Sequence, residues 1–268
     1  MRHVLLATDL EETAANVAAF ALSIADQFGA ELTVYHAFGK PDLSQGLRTD
    51  AQREDTVEDK MQAMMGSLIS KSTADTSIHY VADIDYPGDG ILEQVEKGNF
   101  DLVVIGLREA TSSNGQFSSL AYRILREATC NVLAIPPKAS FHGVNEIVFA
   151  SDVDKADEIV LEQLQAWRQN FTADLFVVHV YDDAADKIKA QEVMAGWRDR
   201  YASRPRMHFE LMAGDFEHDI GAYVAQRGGD MLVLQSHTRG LFGRVFTHSS
   251  AADVAQQVQV PLLIMRGK

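Results

Sequence analysis

The chain repeats itself, and this constrains its fold more than any single motif does. Ile147-Val148-Phe149-Ala150-Ser151-Asp152 falls on Val4-Leu5-Leu6-Ala7-Thr8-Asp9 at a shift of 143 residues (152 − 9 = 143). At that shift, without gaps, Phe28 meets Phe171, Ala30 meets Ala173, Leu32 meets Leu175 and His36 meets His179. Further on the shift is 129 (208 − 79 = 129), and His79 meets His208, Ile91 meets Ile220 and Asp101 meets Asp230. The difference of 14 residues (143 − 129 = 14) is a deletion between the second and third strands of the second copy. It falls in a polar segment, where variation costs least. Two gapless registers over this much chain mark an internal duplication.

Each copy reads as strands alternating with helices. The stretch from Asp101 to Pro136 shows the pattern best: Leu102-Val103-Val104-Ile105 is apolar and β-branched without alternation, as a strand buried on both faces should be. Gly106 ends it, a polar loop follows, and Leu120, Ile124 and Leu125 then recur at helical spacing before a second apolar run, Val132 to Ile135. The unit returns at Asp230 to Pro261. Upstream, Val4 to Ala7, Leu32 to His36 and Ser77 to Ala82 read as strands, separated by a helix ending at Gly29 and by a stripe of Met61, Met64, Met65, Leu68 and Ile69. The expected fold is α/β: two repeated domains, residues 1–138 and 144–268, each a five-stranded parallel sheet with helices on both faces.

Composition excludes several partners. The formal net charge of −14 repels phosphate backbones and anionic lipid, so neither nucleic acid nor membrane is an expected partner. No apolar run approaches a membrane span, and no leader pattern opens the chain. The single thiol, Cys130, forms no internal disulfide and suits a reducing compartment, so a cytoplasmic protein is expected.

The residues resemble the universal stress protein family in its tandem, two-domain form. The resemblance is carried by a first strand ending in a small residue, a hydroxyl residue and Asp (Ala7-Thr8-Asp9; Ala150-Ser151-Asp152). A strand ending in His (His36; His179), the close LREATCNVLAIP, and Ser236-His237 with Arg239 add to it. The resemblance implies a Rossmann-like fold of the adenine nucleotide alpha hydrolase type, a stress-response role, and adenine nucleotide (ATP or AMP) held at the carboxyl ends of the strands. It also implies pairing of the last strands, Val132–Ile135 and Leu262–Met265, within one chain, and a homodimer of chains. Nucleotide-binding members carry a Gly-x-x-Gly turn followed by Gly-Ser or Gly-Thr, whose bare backbone N–H groups close on phosphate at a helix N-terminus.

Carried over residue by residue, the resemblance puts the base and sugar of a nucleotide in the first copy at Ala7, Thr8 and Asp9, with the Ala37 main chain beside the base. Phosphate falls to Gly106, Ser118 and Ser119. The pattern is damaged, since Glu109 stands at the second glycine and the Gly-Ser pair reads Ser118-Ser119 after a shortened loop. In the second copy the equivalents are Asp152, Val180, Gln235, Thr238, His248 and Ser249, with Gly240 and Gly243 off register, and this loop is not expected to cradle phosphate.

Plainer roles stand beside these. Asp9, with Glu12 three residues on, and Asp152 have the form of helix N-caps. His36, His179, His79 and His208 read as structural imidazoles. The Asp182-Asp183 run reads as a solvated face. His237 and His248 frame the second loop without the third ligand a tight metal site needs. No metalloprotease helix, nucleophile elbow or Walker loop is present, so no catalytic constellation is expected.

Overall fold

A computed structural model describes residues 1–11, 13–37, 50–108, 119–236 and 259–267. The described residues divide into two compact units. The first contains β1 (His3–Ala7), α1 (Ala14–Phe28), β2 (Glu31–Ala37), α2 (Asp50–Lys71), β3 (Ile78–Asp83), α3 (Pro87–Gly98), β4 (Leu102–Gly106), α4 (Ser119–Glu127) and β5 (Asn131–Ile135). Its strands run parallel in the order β3-β2-β1-β4-β5. Right-handed crossovers in that order send α1 and α2 to one face and α3 and α4 to the other, in keeping with the packing of α1 on α2 and of α3 on α4.

The second unit contains β6 (Glu146–Ala150), α5 (Lys155–Phe171), β7 (Asp174–Tyr181), α6 (Ala184–Arg200), β8 (Met207–Ala213), α7 (Phe216–Arg227), β9 (Met231–Gln235) and β10 (Leu262–Met265). Its order, β8-β7-β6-β9-β10, repeats that of the first. The helix expected between β9 and β10 lies outside the described residues.

Burial follows the sequence pattern. The central strands β1, β4, β6 and β9 are sealed on both faces, and Val4, Leu5, Leu6, Val103, Val104, Val148, Phe149 and Val233 are wholly buried. On α2, Met61 and Leu68 face the core, but Ile69, expected on the same stripe, is 63% exposed because it lies round the helix from them. Each unit also fastens its own first strand. Asp101 accepts the backbone N–H groups of Arg2 and His3, and Asp230, at the matched position, accepts those of Asn145 and Glu146.

The expected caps are corrected. Helix α1 has Thr13 at its N-cap with no side-chain hydrogen bond, and Asp9 instead accepts from the amide of Glu11 at 3.0 Å, closing a turn ahead of the helix. Glu12 lies outside the described residues. Helix α5 is capped by Asp154, not Asp152, in a reciprocal box with Asp157. Asp183 is not merely solvated; it caps α6 by accepting from the amide of Asp186.

Candidate functional site

In an open parallel sheet, ligands bind beyond the carboxyl ends of the strands where the strand order reverses. That point lies between β1 and β4 in the first unit and between β6 and β9 in the second.

In the first unit β1 ends at Ala7, flanked by Tyr35 on β2 and Ile105 on β4. The chain then turns sharply. The amide of Leu10 donates to Thr8 Oγ1 at 3.0 Å, and Leu10 adopts the left-handed φ of 58°. His36 holds this turn from the side, its Nδ1 lying 2.8 Å from the carbonyl of Thr8. A carbonyl only accepts, so Nδ1 carries the proton. Ala37 ends β2 at the same edge of the sheet, and Gly106 ends β4 with Leu107 bonded to the carbonyl of Ile135. A Cβ at Gly106 would come within 2.9 Å of Val17 Cγ2, so the bare backbone here is a packing requirement. The structure therefore gathers Ala7, Thr8, Asp9, Ala37 and Gly106 at one end of the sheet, and Ser119 opens α4. Ser118 and Glu109 lie outside the described residues.

The second unit keeps the turn but fills the crevice. The amide of Val153 donates to Ser151 Oγ at 3.0 Å, Val153 has φ 53°, and His179 Nδ1 lies 2.8 Å from the carbonyl of Ser151. These match the first unit residue for residue. Beyond them the chemistry changes. Ser151 Oγ donates to Asp157 Oδ2 at 2.6 Å, and Asp157 is 1% exposed. Burial, chiefly, and the nearby charge of Asp154 push the Asp157 carboxyl up to about 7, against the pull of the Ser151 hydroxyl. His179 Nε2 contacts Asp186 Oδ2 at 2.9 Å. At the end of β9, where the first unit has Gly106, Gln235 is only 8% exposed. Its amide nitrogen lies 2.9 Å from where a Cβ on Gly267 would stand. Arg266 bonds to the hydroxyl of Ser236 beside it.

Ser151, His179 and Asp186 are the residue types of a hydrolytic triad without its geometry. The imidazole meets the serine carbonyl and not its hydroxyl, which faces Asp157 instead, so no base activates an Oγ. Asp152 and Val180 are half-buried beside this cluster, and Thr238, His248 and Ser249 lie outside the described residues, as do His237 and Arg239. Among the described residues no group of three or more His, Cys, Asp or Glu is placed to hold a metal ion. No helix among them is long and apolar enough to cross a membrane.

The other histidines fall at the edges. His79 is exposed on β3, and His208 stacks on Phe176 with ring centres 4.4 Å apart while bonding Asp174. Sequence reasoning missed Asp154, Asp157 and Asp186. The first two were within reach, since Asp-x-x-Asp ahead of an apolar helix is a capping signature with Asp in place of Glu.

Comparison with known proteins accords with this architecture. The model of the universal stress protein family matches residues 1–136 and again 143–266. Among curated proteins, none matches the chain. Among solved structures, a universal stress protein from Archaeoglobus fulgidus DSM 4304 aligns over 98% of this chain and 96% of its own, with TM-score 0.75 and 18% identity. A putative universal stress protein from Pseudomonas aeruginosa UCBPP-PA14 covers 99% and 93%, with TM-score 0.66 and 17% identity. The cytoplasmic domain of a prokaryotic cation chloride cotransporter covers 99% and 96% at TM-score 0.60 and 9% identity, a likeness of fold alone.

Proposed function

Because the chain belongs to the universal stress protein family, as a tandem of two such domains, we propose that it is a cytoplasmic stress-response regulator whose adenine-nucleotide binding is confined to the first domain. The domains run over about 1–138 and 144–268. The observation that carries the reading is the contrast at matched strand ends: Gly106 leaves backbone bare at the end of β4, whereas the buried side chain of Gln235 occupies the end of β9. A phosphate held at a strand end closes on backbone N–H groups, and of these two strand ends only that of the first unit carries a residue without a side chain. Asp9 and the Thr8 turn stand ready for sugar and base, held by His36. The role is binding and regulation rather than catalysis. Duplication within one chain supports pairing of the two copies as a built-in dimer.

Calorimetric titration of the intact chain with ATP, ADP and AMP tests this. One site per chain is expected, lost on Asp9→Ala and unaffected by Asp152→Ala. Two sites, or one that survives Asp9→Ala, would overturn it. The filled crevice of the second unit favours one other reading, a ligand-free interaction module throughout. That reading gains if no nucleotide binds at millimolar concentration.

A further inference from the structure

We propose that the crevice of the second unit is latched by protons: His179 holds one on Nδ1 and shares another between Nε2 and Asp186, and Asp157 holds one on its carboxyl group. The assignment begins with donors and acceptors. Ser151 offers His179 Nδ1 a carbonyl at 2.8 Å, which can only accept, so that nitrogen bears hydrogen. On the other side Nε2 lies 2.9 Å from Oδ2 of Asp186. Both contacts are hydrogen bonds only when one further proton lies between Nε2 and Oδ2. His179 itself is buried.

Asp157 is fixed by a separate observation. Its Oδ2 takes the Ser151 hydroxyl at 2.6 Å and the amide of Asp154 at 3.3 Å, while its Oδ1 is buried without a hydrogen-bond partner. An ionised carboxylate in that position would be an uncompensated buried charge, whereas the neutral acid fits. The elevation of this group to about 7 agrees. Ser151 joins the two, its carbonyl serving His179 and its hydroxyl serving Asp157.

The surrounding charges favour the Asp157 proton. Asp152 follows β6 and Asp154 caps α5, and both raise Asp157. Asp186 meets His179 from the first turn of α6, and Asp183 accepts the Asp186 amide. On the same two helices Glu158 is paired to Arg200 and Lys187 is set over the ring of Tyr181, while Lys155 opens α5 and Arg266 bonds to Ser236. Raising the pH ionises a third aspartate beside Asp152 and Asp154. That charge loosens the β6 turn that Ser151 closes. In the first unit Ala14 stands at the position of Asp157, so this part of the latch exists only in the second. Where the first unit's crevice would take a nucleotide, the second takes protons.

Nuclear magnetic resonance of the intact, nitrogen-15-labelled chain, taken from mildly acidic to mildly alkaline pH, tests the latch. The amide signal of Val153, which reaches Asp157 through the Ser151 hydroxyl, is expected to move through a transition close to neutrality. In Asp157→Asn that transition should be lost. The His179 ring should carry hydrogen on Nδ1. A Val153 signal that stays fixed in the parent, or a His179 ring without hydrogen on Nδ1, would overturn the proposal. The parent spectra decide the matter even if a variant fails to fold.

Discussion

At the end of β4 the first unit has a glycine pressed against Val17, and at the end of β9 the second has a buried glutamine beside Gly267. The turns leading into these two crevices are nearly identical, with hydroxyl-to-amide bonds of 3.0 Å and imidazole-to-carbonyl contacts of 2.8 Å in both. Backbone shape has thus outlasted side-chain chemistry. A left-handed residue costs a non-glycine chain something, and a β-branched one more, yet both Leu10 and Val153 keep it. The turn is required by the fold, through the histidine that grips it, whereas the lining of the crevice is free to diverge.

The sharpest way to break this comparison is to remove the titrating acid. Asp157→Asn keeps the acceptor for Ser151 and discards the charge. The sign follows from linkage. The folded carboxyl sits near 7 and the unfolded one near 4, so the folded state binds the extra proton between these values. The parent should therefore lose stability as pH rises across that window and level off above it. At about pH 8 the variant is expected to be more stable by roughly 2–4 kcal/mol, the gap closing towards about pH 4, as read from urea unfolding. An equal gap at both pH values would show that burial does not govern this group.

Next comes the exchange of strand ends. Gly106→Gln, the residue of the second unit placed in the first, should weaken nucleotide binding by at least about tenfold, near 1.4 kcal/mol, in the titration described above. It should also lower thermal stability, because the new Cβ meets Val17. Unchanged affinity would mean that phosphate does not lie at this strand end.

The helices that leave the two turns offer a third comparison. Asp154 accepts from two amides at the start of α5, and Thr13 accepts from none at the start of α1. Asp154→Ala should cost about 1 kcal/mol, and Thr13→Ala should stay within about 0.5 kcal/mol of the parent. A further effect, of similar size, concerns Asp26, which ties the end of α1 to Ser72, Thr73 and Thr76 after α2. These bonds hold its carboxyl below the usual range despite partial burial. Its contribution is present above the unfolded value and is lost as pH falls through the folded one. Asp26→Asn should accordingly matter at neutral pH and fade on acidification, by roughly 0.5–1.5 kcal/mol in chemical unfolding.

Much of this was legible in the sequence because the signals were periodic. Sealed strands such as Leu102–Ile105 have no alternation to hide, and the duplication doubled every observation. The histidines at the two strand ends were also legible as structural, since each recurs beside a hydroxyl residue at the same spacing. The caps were not. Asp9 and Asp152 carry the right residue type too early, by four and by two residues (13 − 9 = 4; 154 − 152 = 2), and the position of a helix start depends on the turn that Thr8 and Ser151 close, which depends in turn on a histidine about 28 residues away. Asp157 was hidden for a different reason. An aspartate on a helix reads as surface unless the partner that buries it is known, and here that partner is a serine at the end of a strand.

The paired aspartates that fasten each first strand have a practical consequence. Asp101 takes hold of residues about 98 positions before it, and Asp230 of residues about 84 before it, so each aspartate fastens the opening strand of its own half. Anyone cutting the gene in two should place the cut after Phe141 and before Asn145. A cut there leaves both fasteners whole, whereas trimming a few residues further into the second half would free β6 while leaving its sequence almost intact.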